Sequence, residues 1–343
     1  METTLTSLKE RYAAAKAENP KSRIRDIAGL LNSSEAQLLA TGIGETVTLL
    51  EGDFREFLKE VNTMGRVMAL TRNNDCVHER KGVYNNVSFD SPHVGLVLDP
   101  DIDLRLFMMG WKYGFAVNEN DRFSFQFFDK SGSAVHKIYL TDDSNKEAYE
   151  ALKAKYTAAN QQLEITTEVY APAPAEKADN EIDVGGFQEG WKNITDTHQF
   201  FGVLKKFGVS RTQGLRLAPE GFVKEVSNDA VETILQKASE TKAPIMIFVG
   251  NRGCIQIHTG EVDRLVRTGP WFNVLDPDLN VHLRTEAIDK TYIVKKPSEA
   301  GIVTALEVFD KNGELIIQLF GKRKPGIPEL ESWREVVKTV ADF

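Results

Sequence analysis

The chain has 343 residues, of which 41% are hydrophobic and 27% charged, a composition typical of a globular protein long enough for two domains. Its net charge of −8 argues against nucleic acid as an obligatory partner, because phosphate binding requires a basic surface. The two cysteines do not make a secreted disulfide framework. The N-terminal residues lack the pattern of a signal peptide, and no apolar run reaches the length of a membrane span. We therefore expect a cytoplasmic protein that is not embedded in a membrane.

The first half begins with a predicted helix, since Leu8, Tyr12 and Ala15 recur at helical spacing. Residues 122–140 alternate around a Lys-Ser-Gly turn and predict a β-hairpin. Segment 171–184 is rich in alanine, proline and charge, which favours extended, solvated backbone and predicts a linker. The second half again begins with helical spacing, and residues 303–321 predict a hairpin around Asn312-Gly313. Residues 327–343 predict a closing helix.

Three blocks of sequence occur twice in the same order. MALTRNNDCVHERKG, from Met68, matches MIFVGNRGCIQIHTG, from Met246, and DPDIDLR at 99–105 matches DPDLNVH at 276–282. FFDKSG, ending at Gly132, matches VFDKNG, ending at Gly313. Because order and offset are kept, we infer a tandem duplication of one α+β module. The predicted domains are an N-terminal repeat at 1–170, a linker at 171–184 and a C-terminal repeat at 185–343.

His198 is the candidate metal ligand among six histidines, none of which forms a close metal-binding motif. One of residues 195–197 is expected to cap the following helix, which places His198 in its first turn. The helix dipole there disfavours the imidazolium ion, and a metal needs the neutral ring. Phe201 and Gly202 share its face and offer an apolar wall and open space. This suits a flat apolar ligand with a metal centre, although a helix-start histidine without a ligand fits the same pattern.

The second copy carries cations where the first has neutral or acidic residues. Arg211 adds positive charge after the His198 helix, and a cationic rim suits a ligand with carboxylate tails. A solvated surface turn is the alternative for the basic run. Arg105, matched by His282 in the other copy, faces either a ligand or a neighbouring acid. The cations in question are Lys295, Lys296, Lys322, Arg323 and Lys324, and their aligned counterparts include Asn118, Glu119 and Asp142.

The DTHQFF segment, the DLRLF segment around Arg105 and the QLFGKR ending resemble the HemS/ChuS family of cytoplasmic haemin-degrading and haem-trafficking proteins. The resemblance extends over essentially the whole chain. It implies two large antiparallel β-sheets, stacked, with flanking helices, and haem b bound in the C-terminal repeat. His198 matches the proximal iron ligand, and Arg105 matches a catalytic arginine on the distal side of the haem.

The resemblance also implies the remaining contacts. Arg211, Lys296 and Arg323 match residues that hold the propionates, and Gln318 and Phe320 match pocket-lining positions. Phe320 departs from family members with tyrosine, which removes one hydroxyl. His78 matches a histidine of a candidate second site in the N-terminal half.

The resemblance implies an enzyme that degrades haem to release iron during haem uptake, with an external reductant because no flavin or nicotinamide motif is visible. The implied partners are haem, an inner-membrane haem importer and an electron-donor protein. A non-catalytic carrier that delivers haem to a separate oxygenase is the alternative, and the sequence does not separate the two. A structural module without haem requires the motif matches to be coincidental.

Overall fold

A computed structural model describes residues 2–161, 164–323 and 326–342, with side chains from residue 7 onward. Its helices are α1 (Glu2–Glu18), α2 (Ile24–Leu30), α3 (Glu35–Ala40), α4 (Phe54–Glu60), α5 (Lys146–Tyr156), α6 (Val184–Lys192), α7 (Gln199–Phe207), α8 (Arg211–Arg216), α9 (Ala230–Thr241) and α10 (Glu331–Lys338). Among the described residues, no helix is both long and apolar enough to cross a membrane.

The strands form two antiparallel sheets of nine strands each. From the first half of the chain come β1 (Val47–Leu50), β2 (Gly65–Arg72), β3 (Cys76–Gly82), β4 (Val87–Ser88), β5 (Gly95–Leu98), β6 (Asp103–Leu106), β7 (Tyr113–Glu119), β8 (Arg122–Phe128) and β9 (Ala134–Ser144). From the second half come β10 (Val223–Val226), β11 (Ile245–Gly250), β12 (Cys254–Gly260), β13 (Leu265–Thr268), β14 (Trp271–Leu275), β15 (Leu279–Arg284), β16 (Lys290–Ser298), β17 (Gly301–Phe309) and β18 (Leu315–Gly321).

The strand order confirms the duplication. In the first half, strands run β1-β7-β8-β9-β2, with β4-β5-β6 as a separate run, and the second half repeats both as β10-β16-β17-β18-β11 and β13-β14-β15. Both predicted hairpins are present, as β8 with β9 and β17 with β18. Their turns place Gly132 and Gly313 at φ of 78° and 74°, a left-handed conformation that glycine adopts without strain. The fold class predicted from the sequence is therefore confirmed.

The chain divides into two compact units. Unit 1 contains the chain up to Arg72, Glu79–Ala171 and Gly250–Gln256, and unit 2 contains Asn73–His78, Pro172–Val249 and the chain from Ile257 onward. The units follow the predicted repeats except at the two short segments, each of which groups with the unit made mainly by the other repeat. The predicted bounds 1–170, 171–184 and 185–343 stay a prediction as limits of independently folding domains.

A repeated asparagine explains why each short segment belongs to its unit. Within unit 1, the Asn251 side-chain amide donates to the carbonyls of Arg72 and Val135 at 2.9 and 2.8 Å. Within unit 2, the Asn73 amide donates to the carbonyl of Ile316 at 2.7 Å. Each asparagine oxygen also accepts the backbone N–H groups of its own turn, so one residue shapes the turn and binds the hairpin.

Each unit has helices on both faces of its long strand run. In unit 2, α9 and α10 pack on the face that carries Ile247 and Leu319, while α6 and α7 pack against Val294 and Phe309. In unit 1, α4 and α5 cover Phe125, and α3 packs elsewhere on the strands. The predicted first helix is present as α1, whose apolar side chains pack against α2 and α3. The predicted closing helix is α10, and Phe343 lies outside the described residues.

We expect a fragment of residues 1–171 to be unstable alone, because it lacks 250–256. It loses the hydrogen bonds from Asn251, the 2.9 Å bond from Trp111 Nε1 to the Gly253 carbonyl, and buried Cys254. Three lost bonds amount to about 3 kcal/mol of unfolding free energy. Trp111 is the only tryptophan of this fragment, so its fluorescence reports the change.

The fragment alone should show red-shifted emission and a lower urea midpoint, and mixing it with fragment 172–343 should restore both. If fragment 1–171 alone had the same emission and the same urea midpoint as its mixture with fragment 172–343, this account would be contradicted.

Candidate functional site

His198 stands at the exposed beginning of α7. The prediction that it lies in the first turn is wrong by one position, because α7 begins at Gln199 and His198 is its N-cap residue. Asp196 is the reason: its Oδ1 accepts the His198 backbone N–H at 2.7 Å and lies 2.6 Å from the His198 Nδ1. The His198 side chain is 91% exposed. A carboxylate on Nδ1 fixes the ring orientation and turns Nε2 outward, the arrangement typical of metal-bound histidine.

The first turns of α7 have one open face and one anchored face. Phe201 is 72% exposed, and a side chain added at Gly202 would meet no atom within 4 Å. On the other face, Phe200 is buried against Trp191, with ring centroids 4.3 Å apart. The anchored face therefore holds the helix, while His198, Phe201 and Gly202 remain open to a ligand.

Strands β11 and β18 of unit 2 present a half-buried surface at their centre. Cross-strand pairing places Phe248 beside Gln318 and Met246 beside Phe320, all four on one face. The rings of Phe248 and Phe320 meet edge to face at 4.9 Å. The face is apolar apart from Gln318, which suits the body of a flat apolar ligand.

Glu307 of β17 is a buried carboxylate at the polar edge of this face. Arg211 donates to it through Nε at 2.9 Å and Nη2 at 2.7 Å, Lys296 donates through Nζ, and the Gln318 amide donates at 3.1 Å. Phe200 lies beneath the two cations, 4.9 Å from the Lys296 nitrogen and 5.9 Å from the Arg211 guanidinium. Three predicted site residues thus converge on one anion.

Electrostatics agree with that geometry. Burial raises the pKa of the Glu307 carboxyl, but Arg211 and Lys296 outweigh burial and lower this pKa to about 2. Burial lowers the pKa of Lys296, and Glu307 opposes that effect. The carboxylate and its two cations are therefore a charged cluster in a desolvated place.

Arg323 lies after β18, close enough to Asp196 to contribute to the lowered pKa of that carboxyl, whose main cause is the His198 backbone N–H. The turn between β16 and β17 reaches the same loop, since the Glu299 N–H donates to the Thr195 carbonyl at 2.9 Å. The loop before α7 is thus fastened near the end of the strands. Lys324 of the predicted basic run lies outside the described residues.

Two further predicted site residues belong to other strands. Arg105 belongs to β6 of unit 1 and forms an ion pair with Asp103 of the same strand, the neighbouring acid that the sequence left open. His282, its counterpart, has Nδ1 2.7 Å from the Asn273 side-chain oxygen. His78 is wholly buried and groups with unit 2, so this conformation offers a ligand no exposed surface on it. The roles of Arg105 and His78 stay predictions.

Sequence reasoning missed Glu307, Met246 and Phe248, and it missed the role of Asp196 on the imidazole. A signal for Glu307 was available, because it is the single charged residue within run 303–309, which is otherwise apolar except for Thr304. A carboxylate at the centre of a buried strand needs a cation beside it. The sequence did not show that Lys296 and Arg211 pair with Glu307, since they lie 11 and 96 residues away from it.

Comparisons with known proteins identify the family of this chain. The haemin-degrading HemS/ChuX domain matches the chain twice, at residues 32–156 and 208–340. The chain belongs to the HemS/ChuS family. It is 37% identical over 336 residues to the hemin transport protein HmuS of Yersinia pestis, covering 96% of both chains.

Two solved structures of family members share the fold. Holo-PhuS, a heme-binding protein from Pseudomonas aeruginosa, superposes with a TM-score of 0.96 at 43% identity, covering 99% of each chain. The heme-degrading enzyme ChuS of Escherichia coli O157:H7 superposes with a TM-score of 0.92 at 34% identity, covering 98% of this chain and 100% of ChuS.

We expect Glu307→Gln to lower the free energy of unfolding by about 3 kcal/mol at neutral pH, because it leaves two cations without their buried counter-ion. The folded pKa lies below the unfolded value of about 4.3, so the carboxylate contributes fully above that pH. The contribution disappears as pH falls toward about 2, where wild type and variant should converge.

Urea unfolding at several pH values measures the difference. The exposed Glu335, paired with Lys338 on α10, provides the control, and Glu335→Gln should change stability by less than about 0.5 kcal/mol. An equally small effect of Glu307→Gln would show that the buried cluster is not coupled to folding.

Proposed function

We propose that this chain binds haem b in unit 2 with His198 as the iron ligand, and that it degrades haem to release iron during haem utilisation. The observation that carries the proposal is His198 itself, exposed at the start of α7 with Asp196 on Nδ1 and Nε2 directed outward. A neutral imidazole held in this way is a suitable proximal ligand for haem iron.

The surrounding residues fit a porphyrin. Phe201 offers an exposed aromatic ring beside His198, and Gly202 leaves open space next to it. Phe320 and Gln318 are proposed to line the pocket from the half-buried face of β18. Arg211, Lys296 and Arg323 are proposed to supply the positive charge that two propionates require.

The chain's residues have limited tasks in the proposed reaction, because haem carries the ring-opening chemistry and the protein positions it. His198 holds the iron, and the Asp196 carboxylate keeps the proton on Nδ1, which leaves Nε2 as the coordinating atom. Arg105 is proposed as the second catalytic residue, through the positive charge that stabilises developing negative charge on oxygen. An external reductant is proposed as the electron source.

The descriptions of family members are consistent both with haem degradation and with haem transport. ChuS is described as a heme-degrading enzyme, and HmuS as a hemin transport protein. We propose degradation for this chain, in the cytoplasm, with an inner-membrane haem importer and an electron-donor protein as partners. Delivery of intact haem to a separate oxygenase is the alternative. His78 is kept as the candidate ligand of a second haem.

A haemin titration followed by reduction on the same sample tests the proposal. Wild type should bind haemin saturably, and ascorbate in air with catalase should then remove the Soret band and release chelatable iron. His198→Ala should weaken haemin binding at least about tenfold and shift the Soret band, because the axial ligand is lost. His93→Ala replaces another exposed histidine and should behave as wild type.

Unchanged affinity and spectrum in His198→Ala would refute the ligand assignment. A Soret band that survives reduction, or disappears only when catalase is omitted, would refute degradation and indicate a carrier.

A further inference from the structure

The three charged residues around Glu307 differ in their access to solvent. The side chains of Glu307 and Lys296 are 0% and 5% exposed, whereas that of Arg211 is 30% exposed. A carboxylate and an ammonium are therefore enclosed together, and the second cation stands at the surface above them. Of these three residues, only Arg211 has a charged group that solvent or a ligand can contact.

Bidentate pairing also fixes which side of the guanidinium is turned outward. Arg211 uses Nε and Nη2 for the two oxygens of Glu307. Nη1 stands on the opposite side of the planar group, so the edge formed by Nη1 and Nη2 is directed away from the buried carboxylate. That edge has the fork geometry that binds a second carboxylate.

Charge balance determines whether this edge is effective. Glu307 alone would cancel the charge of Arg211 and weaken its attraction for a ligand anion. Lys296 neutralises Glu307 from within, so the cluster keeps a net charge of +1, carried by its exposed member.

We propose that Lys296 and Glu307 form a buried, internally neutral pair that positions Arg211 and preserves its charge for one ligand carboxylate. In this assignment Arg211 contacts the ligand, Glu307 is a positioning residue, and Lys296 acts through Glu307 rather than by touching the ligand. The assignment rests on the proposed haem function and refines the task of Lys296 within it.

Unit 1 contains the same three residue types in a closed form. Glu35 of α3 forms ion pairs with Arg72 and Lys137, and the three side chains are 4%, 15% and 8% exposed. Its arginine is half as exposed as Arg211, and both cations are largely enclosed with the acid. This cluster provides a matched control, because it has the same net charge but its cations are little exposed to solvent.

The experiment compares the dissociation constants of haemin and haemin dimethyl ester, which lacks free carboxylates, in the same detergent buffer. Wild type should prefer haemin, and the contact with Arg211 should contribute about tenfold to that preference, the size expected for one charge-assisted hydrogen bond. Arg211→Met should abolish that tenfold contribution and leave the part that Arg323 supplies. Lys296→Met should abolish the same contribution, because Glu307 then cancels the charge of Arg211.

The decisive variant is Lys296→Met combined with Glu307→Gln, which removes both buried charges and leaves Arg211 charged. We expect it to recover the preference for haemin to within about twofold of wild type. Circular dichroism checks folding, and if Lys296→Met does not fold, the double variant alone decides. Lys137→Met and Lys137→Met with Glu35→Gln should keep the wild-type preference.

A double variant whose preference for haemin stays about tenfold below that of wild type would overturn the assignment, since Lys296 would then act by direct contact. An undiminished preference in folded Lys296→Met would overturn it as well. Wild type that binds neither compound would instead refute the proposed function, so the two failures are distinguishable.

Discussion

Glu307 lies on a central strand with no exposure to solvent, so its charge is stable only with cations beside it. The side chains that donate to Glu307 come from three parts of unit 2: Arg211 from α8, Lys296 from β16 and Gln318 from β18. The two cations cover Phe200, which fixes α7 against Trp191. The buried cluster therefore helps to hold in place α7, the helix at whose beginning the exposed residues stand.

The two units use the same strand order for different surfaces. In unit 2, Phe248 and Phe320 lie half-buried on an open face, whereas their counterparts in unit 1, Leu70 and Tyr139, are buried. The carboxylate of the charged cluster also comes from different elements: Glu35 lies on helix α3 in unit 1, and Glu307 lies on strand β17 in unit 2. Duplication preserved the pairing of strands, which backbone hydrogen bonds dictate, while side chains diverged on the faces. A ligand site in one copy is compatible with a filled surface in the other.

Local chemistry explains what could be predicted from the sequence. Alternation and turn glycines identified both hairpins, because these signals lie within a few residues of one another. Blocks that recur in the same order identified the duplication. The start of α7 was misplaced by one residue, since the capping contact of Asp196 depends on the loop conformation. The Glu307 cluster and the segments exchanged between the units arise from tertiary contacts that a single sequence does not encode locally.

The most direct test of the central claim is the iron–histidine stretching band in the resonance Raman spectrum of the ferrous haem complex. We predict that wild type shows this band and that His198→Ala lacks it. Asp196→Asn should retain the band at lower frequency, because an amide oxygen accepts a weaker hydrogen bond from Nδ1–H than a carboxylate does. A band that persists in His198→Ala, or does not move in Asp196→Asn, would contradict coordination by His198 oriented through Asp196.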